Sequence, residues 1–420
     1  MESELLFQRI DAEREEAVAR GRAFFDCPEL GFQETETARK ICALLDGWGV
    51  PYHAGVALTG VVATIGSGGY HVAVAADMDA LPRKDGQGNL HACGHSIQVA
   101  NALTVLHALV PEARQGTLGG RVSFFFTPAE ELTDMEGRAA LIASGKLLGR
   151  SGKQDMIARG WFDDVDCVLS CHANADPGRG FDVDSVLTGF LLKRAVFHGR
   201  AAHSGAAPHL GRNALHGAVL AETALGLLKD QFAPDNCVRI QPVIGGVTGG
   251  INVIPDTAAL ETYVRAVSRE ALLDAAGRFD ACVGGCAAAL GLSAELSTAP
   301  GYLPLNQSPI LNRAVEKNML RFVSPEQITH RPVSGASGDV GDLGTLLPTV
   351  QFGFSGIDGA FHSDTFSVRD EEHCYLTAAK VLAGTVADLL SRPEYQVKSE
   401  RYHEEKRRYL SDWLGLSEKG

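Results

Sequence analysis

The sequence predicts an α/β fold: a mostly parallel central sheet flanked by helices, with a smaller ferredoxin-like α+β unit inserted into it. Two observations predict it. Four short apolar runs, His71 to Ala76, Arg121 to Phe126, Val165 to Cys171 and Pro348 to Phe354, are each followed by acids or a histidine. Such runs among stretches of helical period describe an open sheet whose chemistry lies beyond the carboxyl ends of its strands. The segment between about 188 and 301 reads differently, in the order β-α-β-β-α-β of a split ferredoxin-like unit. A chain of 420 residues exceeds what one hydrophobic core usually serves. The expected division is therefore a discontinuous domain of residues 1–187 and 302–420, interrupted by a domain of residues 188–301.

The elements follow in order. Leu5 to Phe25 has helical character and stops before Pro28 in the string Cys27-Pro28-Glu29-Leu30-Gly31-Phe32. Glu34 to Trp48 is a second helix with Thr37, Ile41, Leu44 and Leu45 on one side. Gly60 to Ile65 and His71 to Ala76, separated by Gly66-Ser67-Gly68-Gly69, read as neighbouring strands of a hairpin. Ile97 to Val110 follows as a helix with Val99, Leu103, Leu106 and Leu109 at helical spacing. In the inserted segment, Leu191 to Phe197, Val238 to Ile244, Asn252 to Val267 and Ser293 to Ser297 read as strands. Asn213 to Phe232 and Glu270 to Leu290 are its helices. The Ala/Gly-rich face from Gly217 to Gly226 suits a sheet and a partner subunit equally well.

Chemistry-bearing residues concentrate at the strand ends. One short loop carries Asp77, Asp79, His91, Cys93 and His95, and a Cys-x-His pair can place a thiolate and an imidazole on one metal ion or on two neighbours. Glu130 and Glu131 follow a strand and a turn-fixing Pro128. Adjacent side chains point in different directions, so one carboxylate can bind metal while the other moves protons. His172 closes the third strand and His362 follows the fourth. Taken singly, Asp77-Met78-Asp79 reads as a solvated turn, Cys93 as a small buried hydrophobe and His172 as a structural histidine. Four strands ending in such residues point instead to one shared site.

The formal net charge of −13, with no basic run to offset it, argues against nucleic acid or an anionic membrane as partner. Nine scattered cysteines fit a reducing compartment. The first twenty residues are studded with charge and lack the apolar core of a secretion signal, and no run approaches the roughly 18 apolar residues of a membrane span. A cytoplasmic protein is expected.

The strings Asp77-Met-Asp-Ala-Leu-Pro82, His91-Ala-Cys-Gly-His95, Thr127-Pro-Ala-Glu-Glu131, Ala201-Ala-His-Ser-Gly-Ala-Ala-Pro208, Asn213-Ala-Leu215 and Asn252-Val-Ile-Pro255 resemble the metal-dependent amidohydrolases of the aminoacylase and carboxypeptidase superfamily. The nearest branch holds auxin-conjugate, hippurate and aminobenzoyl-glutamate hydrolases. The resemblance implies a catalytic metal-binding domain and an inserted lid and dimerisation domain forming a homodimer. It implies two divalent ions, Mn2+ or Zn2+, on Cys93, His95, Glu131, His172 and His362, with the thiolate shared. Glu130 falls on the general base that takes a proton from metal-activated water, and Asp79 on an acid that orients a ligand histidine. His203 corresponds to a residue that stabilises the oxyanion across the dimer interface. Asn252 and Arg265 match positions that hold a substrate carboxylate. On the residues alone, Arg265 reads equally as a surface ion-pair partner and Asn252 as a turn.

The expected reaction is cleavage of the amide of an N-acyl or N-aroyl amino acid; the alternative is a metallo-dipeptidase acting on small dipeptides. Ser96 stands where the family commonly has Asp or Asn, and Gln98 where it commonly has His. These two departures are the support for a third reading, a binding paralogue with impaired catalysis. The Gly-rich run usual after Glu-Glu is replaced by Leu132-Thr-Asp-Met-Glu-Gly137, and an apparent insertion of about 145–157, carrying Lys146, Arg150 and Lys153, is expected to remodel a loop near the pocket.

Overall fold

The computed structural model describes residues 2–174 and 180–416. The chain divides into two compact units, one of Met1–Ser185, Asn306–Val333 and Asp342–Gly420, the other of Val186–Leu305 and Ser334–Gly341. The sequence placed the boundaries at 187/188 and 301/302 and left 334–341 in the first unit. That segment joins the second because side chains there hold it: Thr188 Oγ1 donates to the Gly335 and Ala336 carbonyls, and Arg265 to Ser337 Oγ.

The first unit is built on an eight-stranded sheet. Its strands in chain order are β1 (Tyr52–Val56), β2 (Gly60–Gly66), β3 (Tyr70–Asp77), β4 (Gly120–Thr127), β5 (Cys167–Ala173), β6 (Phe181–Val183), β7 (Ile328–His330) and β8 (Thr349–Phe354). In space they run β1-β2-β4-β3-β5-β8-β6-β7. The block β4-β3-β5-β8 is parallel throughout, so its four carboxyl ends share one edge. All eight residues of β3 and all six of β8 are buried, which is why they read as continuous apolar runs rather than as alternating ones. The helix His95–Gln115 packs on β3, and Ala378–Ser391 packs on that helix and on the sheet.

The hairpin expected between Gly60–Ile65 and His71–Ala76 does not form. β4 lies between the two strands, antiparallel to β2 and parallel to β3. The glycine-rich link instead passes over the start of β4. Gly66, Gly68 and Gly69 all have positive φ, and a Cβ on Gly66 would stand 2.3 Å from the Gly120 carbonyl oxygen. Four residues of that composition can bridge a strand as readily as close a tight turn, because glycine reaches φ values other residues avoid.

The second unit is an antiparallel sheet. Arg239–Ile240 and Val243–Gly245 pair with Thr257–Ala266, which pairs with Gly189–His198, which pairs with Ser293–Pro300. The helices Ala214–Leu228 and Arg269–Ala289 pack on it, giving the β-α-β-β-α-β order with the expected strand Val238 to Ile244 split into two short ones at Gln241-Pro242. Leu191, Ala195 and Phe197 are buried, and Lys193 in the same row is buried beside Asp280 at 2.7 Å. Asn213 caps the first helix, its Oδ1 accepting from Leu215 N and His216 N.

Among the described residues one helix, His373–Ser391, is long and apolar enough to cross a membrane, and 89% of its most apolar stretch is buried inside the structure.

Candidate metal centre

β3 ends at Asp77 and delivers Asp79 into a buried loop beside the amino terminus of the helix His95–Gln115. Gly94 caps that helix at φ +96°, and a Cβ there would stand 2.8 Å from the Ala173 Cβ on β5. Only glycine fits both the angle and the approach, which brings His95 against the end of β5. His95 Nδ1 lies 3.0 Å from the Asp79 carbonyl and 3.1 Å from Asp79 Oδ1. Donating there leaves Nε2 with its lone pair facing the site, the arrangement in which an outer carboxylate fixes a ligand histidine. That Nε2 is buried and has no hydrogen-bond partner among the described residues.

His172, on β5, is oriented the same way by its backbone. Its Nδ1 donates to the Ala173 carbonyl at 2.7 Å, and its Nε2 faces Cys93 Sγ at 3.6 Å. β4 ends at Thr127, and the turn that follows puts Ala129 at φ +59° before the two glutamates. Glu131 N donates to Asp79 Oδ2 at 2.9 Å. Glu131 Oε1 is buried, 3.2 Å from His362 Nε2 but outside hydrogen-bond alignment. His362 is itself left-handed, at φ +56°, and its N–H donates to the Ala92 carbonyl beside Cys93. Two strained non-glycine residues at one site are a common mark of function.

The ligand atoms fall into three overlapping groups, each within 4.8 Å: Cys93, His95 and His172; Cys93, Glu131 and His362; His95, Glu130 and Glu131. Cys93, His95 and Glu131 each belong to two of them. Electrostatics agree with this donor set. Burial, then His95, lowers the His172 pKa and keeps that ring neutral. Burial alone would raise Glu131, but His362 and His95 hold it below the ordinary carboxylate range. Burial and the Glu131 charge push the Cys93 thiol up, while His95, despite its own burial, is raised by Cys93 and Asp79. Both groups thus hold protons that a bound cation would displace, since ligand thiols and imidazoles bind in their deprotonated forms. The orphaned His95 Nε2, the unaligned Glu131 Oε1 and the mixed S, N and O donors therefore fit divalent metal ions.

Glu130 Oε2 lies 3.8 Å from His95 Nε2, at the rim of this cluster. The remaining sequence-predicted residues belong to the second unit. His203 is exposed, and its Nδ1 accepts from Gly205 N and Ala206 N at 3.2 and 3.1 Å. Asn252 is exposed, with its carbonyl accepting from Ser204 N, so the His203 and Asn252 segments are adjacent. Arg265 stacks over Phe190 and Tyr263 at 5.1 and 5.3 Å and donates to Ser337 Oγ at 2.7 Å. No ion pair joins it to a carboxylate among the described residues. His91, from the same loop as Cys93, is buried near Phe25 and belongs to none of the donor groups.

The residues that depart from the family pattern have structural places. Gln98 Oε1 accepts from Asp77 N at 3.1 Å, while Gln98 Nε2 and Ser96 Oγ are buried without partners among the described residues. The first part of the insertion, 145–151, is loop. The last part is the helix Gly152–Ala158, capped by Ser151 and buried from Gly152 to Ile157, and Lys153 makes a buried ion pair with Asp77. A charged side chain in a sequence reads as exposed, and the partner lies 76 positions away.

A model of peptidase family M20/M25/M40 matches residues 73–388. The chain belongs to that family. Among M20 relatives, the chain is 29% identical over 363 residues to the IAA-amino acid hydrolase ILR1-like 6 of Arabidopsis thaliana, covering 80% of this chain and 71% of the relative. It is 27% identical over 414 residues to the Xaa-Arg dipeptidase of Mus musculus, covering 92% and 88%. The solved structure of a dinuclear metal-binding M20 peptidase from Bacillus subtilis superposes with a TM-score of 0.73 at 23% identity, covering 90% of this chain and 99% of that one. This M20 chain is thus a metal-dependent hydrolase of the amidohydrolase or dipeptidase type.

Proposed function

We propose that this M20 hydrolase uses two metal ions to cleave the amide bond of an N-acyl or N-aroyl amino acid. The observation that carries the reading is the convergence of Cys93, His95, Glu131, His172 and His362, from four strand ends, with Glu130 at the edge of the same cluster. Two divalent ions, Mn2+ or Zn2+, held by those five residues would lower the pKa of water toward neutrality and polarise the scissile carbonyl. The chain's own residues do the rest. Asp79 keeps the His95 tautomer fixed. Glu130 accepts a proton as water adds to the amide carbon, then gives it to the nitrogen as the C–N bond breaks, so the products are a carboxylic acid and a free amino acid. Arg265, stacked on two aromatic rings, offers a planar donor pair for the amino acid's carboxylate, with Asn252 as its companion. His203 donates to the carbonyl oxygen as charge develops there, across the interface of a homodimer formed through the second unit.

The name of the mouse relative supports a second reading, a dipeptidase. A dipeptide differs in carrying an ammonium where the acyl group is apolar, so its pocket needs an acid or carbonyl cage at that end. The nine free thiols support a reducing setting such as the cytoplasm.

A panel of matched N-acyl amino acids and dipeptides, assayed with Mn2+, Zn2+ or Co2+, tests the reading. The acylated members are expected to turn over, to stop doing so after chelation and to recover when metal returns. Full activity after chelation would overturn the metal mechanism, and turnover confined to dipeptides would select the alternative.

A further inference from the structure

We infer that Glu34 is a positioning residue: it holds the left-handed Ala129 whose conformation aims Glu130 and Glu131 into the metal centre. The inference rests on the function proposed above and adds to it a residue outside the ligand set.

The turn after β4 is fixed by side chains rather than by a backbone ladder. Ala129 N donates to Glu34 Oε1 at 2.8 Å, and the Ala129 carbonyl accepts from Arg138 Nη1 at 2.9 Å. Glu131 N donates to Asp79 Oδ2, and the Glu131 carbonyl accepts from Arg138 Nη2. Both peptide groups of both residues are therefore held, and Glu34 holds the first. Ala129 sits at φ +59°, where an L-residue other than glycine is disfavoured and persists only when its surroundings over-determine it. Released from Glu34, the peptide can relax toward negative φ, and the two carboxylates that follow would turn with it.

Glu34 is itself placed for this. Its side chain is fully buried, and its Oε2 pairs with the Thr59 hydroxyl. The segment before it, Glu29 to Glu34, lies directly against the turn. A Cβ on Gly31 would stand 2.6 Å from Arg138 Nη2 and 2.8 Å from the Ala129 Cβ. Glu29 anchors the segment at both ends: its carboxylate accepts from Glu36 N and Thr37 N at the start of the helix Thr35–Gly47, and its carbonyl accepts from Ala80 N in the Asp79 loop. The string that on sequence grounds only ends a helix is thus the floor beneath the acidic pair.

Burial, with the Asp79 charge adding to it, pushes the Glu34 carboxyl up to about 8. Oε1 accepts from Ala129 N and Oε2 accepts from the Thr59 hydroxyl. Glutamine keeps the bond to Ala129 N through its carbonyl, and its NH2 can donate to the Thr59 hydroxyl once that hydroxyl turns to accept. Alanine reproduces neither.

The test compares Glu34→Gln and Glu34→Ala in the full chain by cobalt(II) titration, read from the thiolate-to-cobalt absorption, and by kcat and KM on the best amide substrate. Glu34→Ala is expected to bind Co2+ about 10- to 100-fold more weakly and to lose kcat with KM little changed. Glu34→Gln is expected to stay near wild type in both. Should Glu34→Ala not fold, Glu34→Asp, which draws the carboxyl back by one methylene, carries the same expectation as alanine. Wild-type cobalt affinity in Glu34→Ala, or Glu34→Gln no better than Glu34→Ala, overturns the inference. Normal cobalt binding by a wild-type protein that hydrolyses no amide would count against the function proposed above, and the cobalt comparison of the variants would still decide the role of Glu34.

Discussion

Glu130→Gln is expected to lower kcat by about 10²- to 10⁴-fold, the usual contribution of a positioned general acid–base, while metal content and KM stay close to wild type. The amide is nearly isosteric with the carboxylate, so the left-handed turn at Ala129 and the neighbouring Glu131 keep their places. What it cannot do is take a proton from water and return it to the leaving nitrogen. Glu131→Gln makes the contrasting case. Glu131 reaches toward Cys93 and His362, and its loss is expected to reduce metal content as well as rate. Steady-state kinetics alongside metal analysis of both variants separates the two roles. Wild-type turnover in Glu130→Gln would remove it from the reaction.

The largest stability effect is expected at Lys153. Its side chain is 1% exposed and pairs with Asp77, 6% exposed, which also accepts from Thr127 Oγ1 at 2.7 Å. Removing one partner of a buried pair leaves an uncompensated charge, at a cost of about 3–5 kcal/mol. Lys153→Met should therefore unfold at markedly lower urea near pH 7. Its pH dependence has a definite sign. Burial alone would raise Asp77, but Lys153 and His95 hold it below its ordinary value, so the ion pair contributes fully above the unfolded carboxylate pKa of about 4. That contribution is lost as pH falls through the depressed folded value. In Lys153→Met the depression is relieved and Asp77 takes up a proton at higher pH, so the gap between variant and wild type is expected to narrow as pH falls. Lys153→Met with Asp77→Asn should recover part of the loss, because neither buried charge then remains. Urea melts at neutral and mildly acidic pH check all three expectations, and a single variant as stable as wild type at pH 7 would contradict them.

The parallel core strands were legible because burial on both faces writes itself as an unbroken apolar run, as in β3 and β8. The chemistry at their ends was legible because acids, a thiol and imidazoles are rare neighbours of such runs. Strand adjacency was less so. Nothing in Gly66 to Gly69 says whether the chain closes on itself or steps across another strand, and the structure inserts β4 there. Buried charges were illegible for a related reason: Lys153 and Glu34 have ordinary local surroundings in sequence, and their partners Asp77 and Ala129 become neighbours only after the sheet is assembled. The departures at Ser96 and Gln98 were visible as departures, but only the structure shows Gln98 accepting from the Asp77 peptide.

The central claim is that Cys93, His95, Glu131, His172 and His362 together hold a pair of cations. Anomalous scattering from crystals grown with Mn2+ or Zn2+ tests it most directly. The account predicts two peaks within a few ångströms of each other, about 3.5–4 Å apart as in other two-metal sites, with the Cys93 sulfur adjacent to both. A single peak elsewhere in the protein, or full occupancy by metal in a Cys93→Ala and His95→Ala double variant, would contradict it.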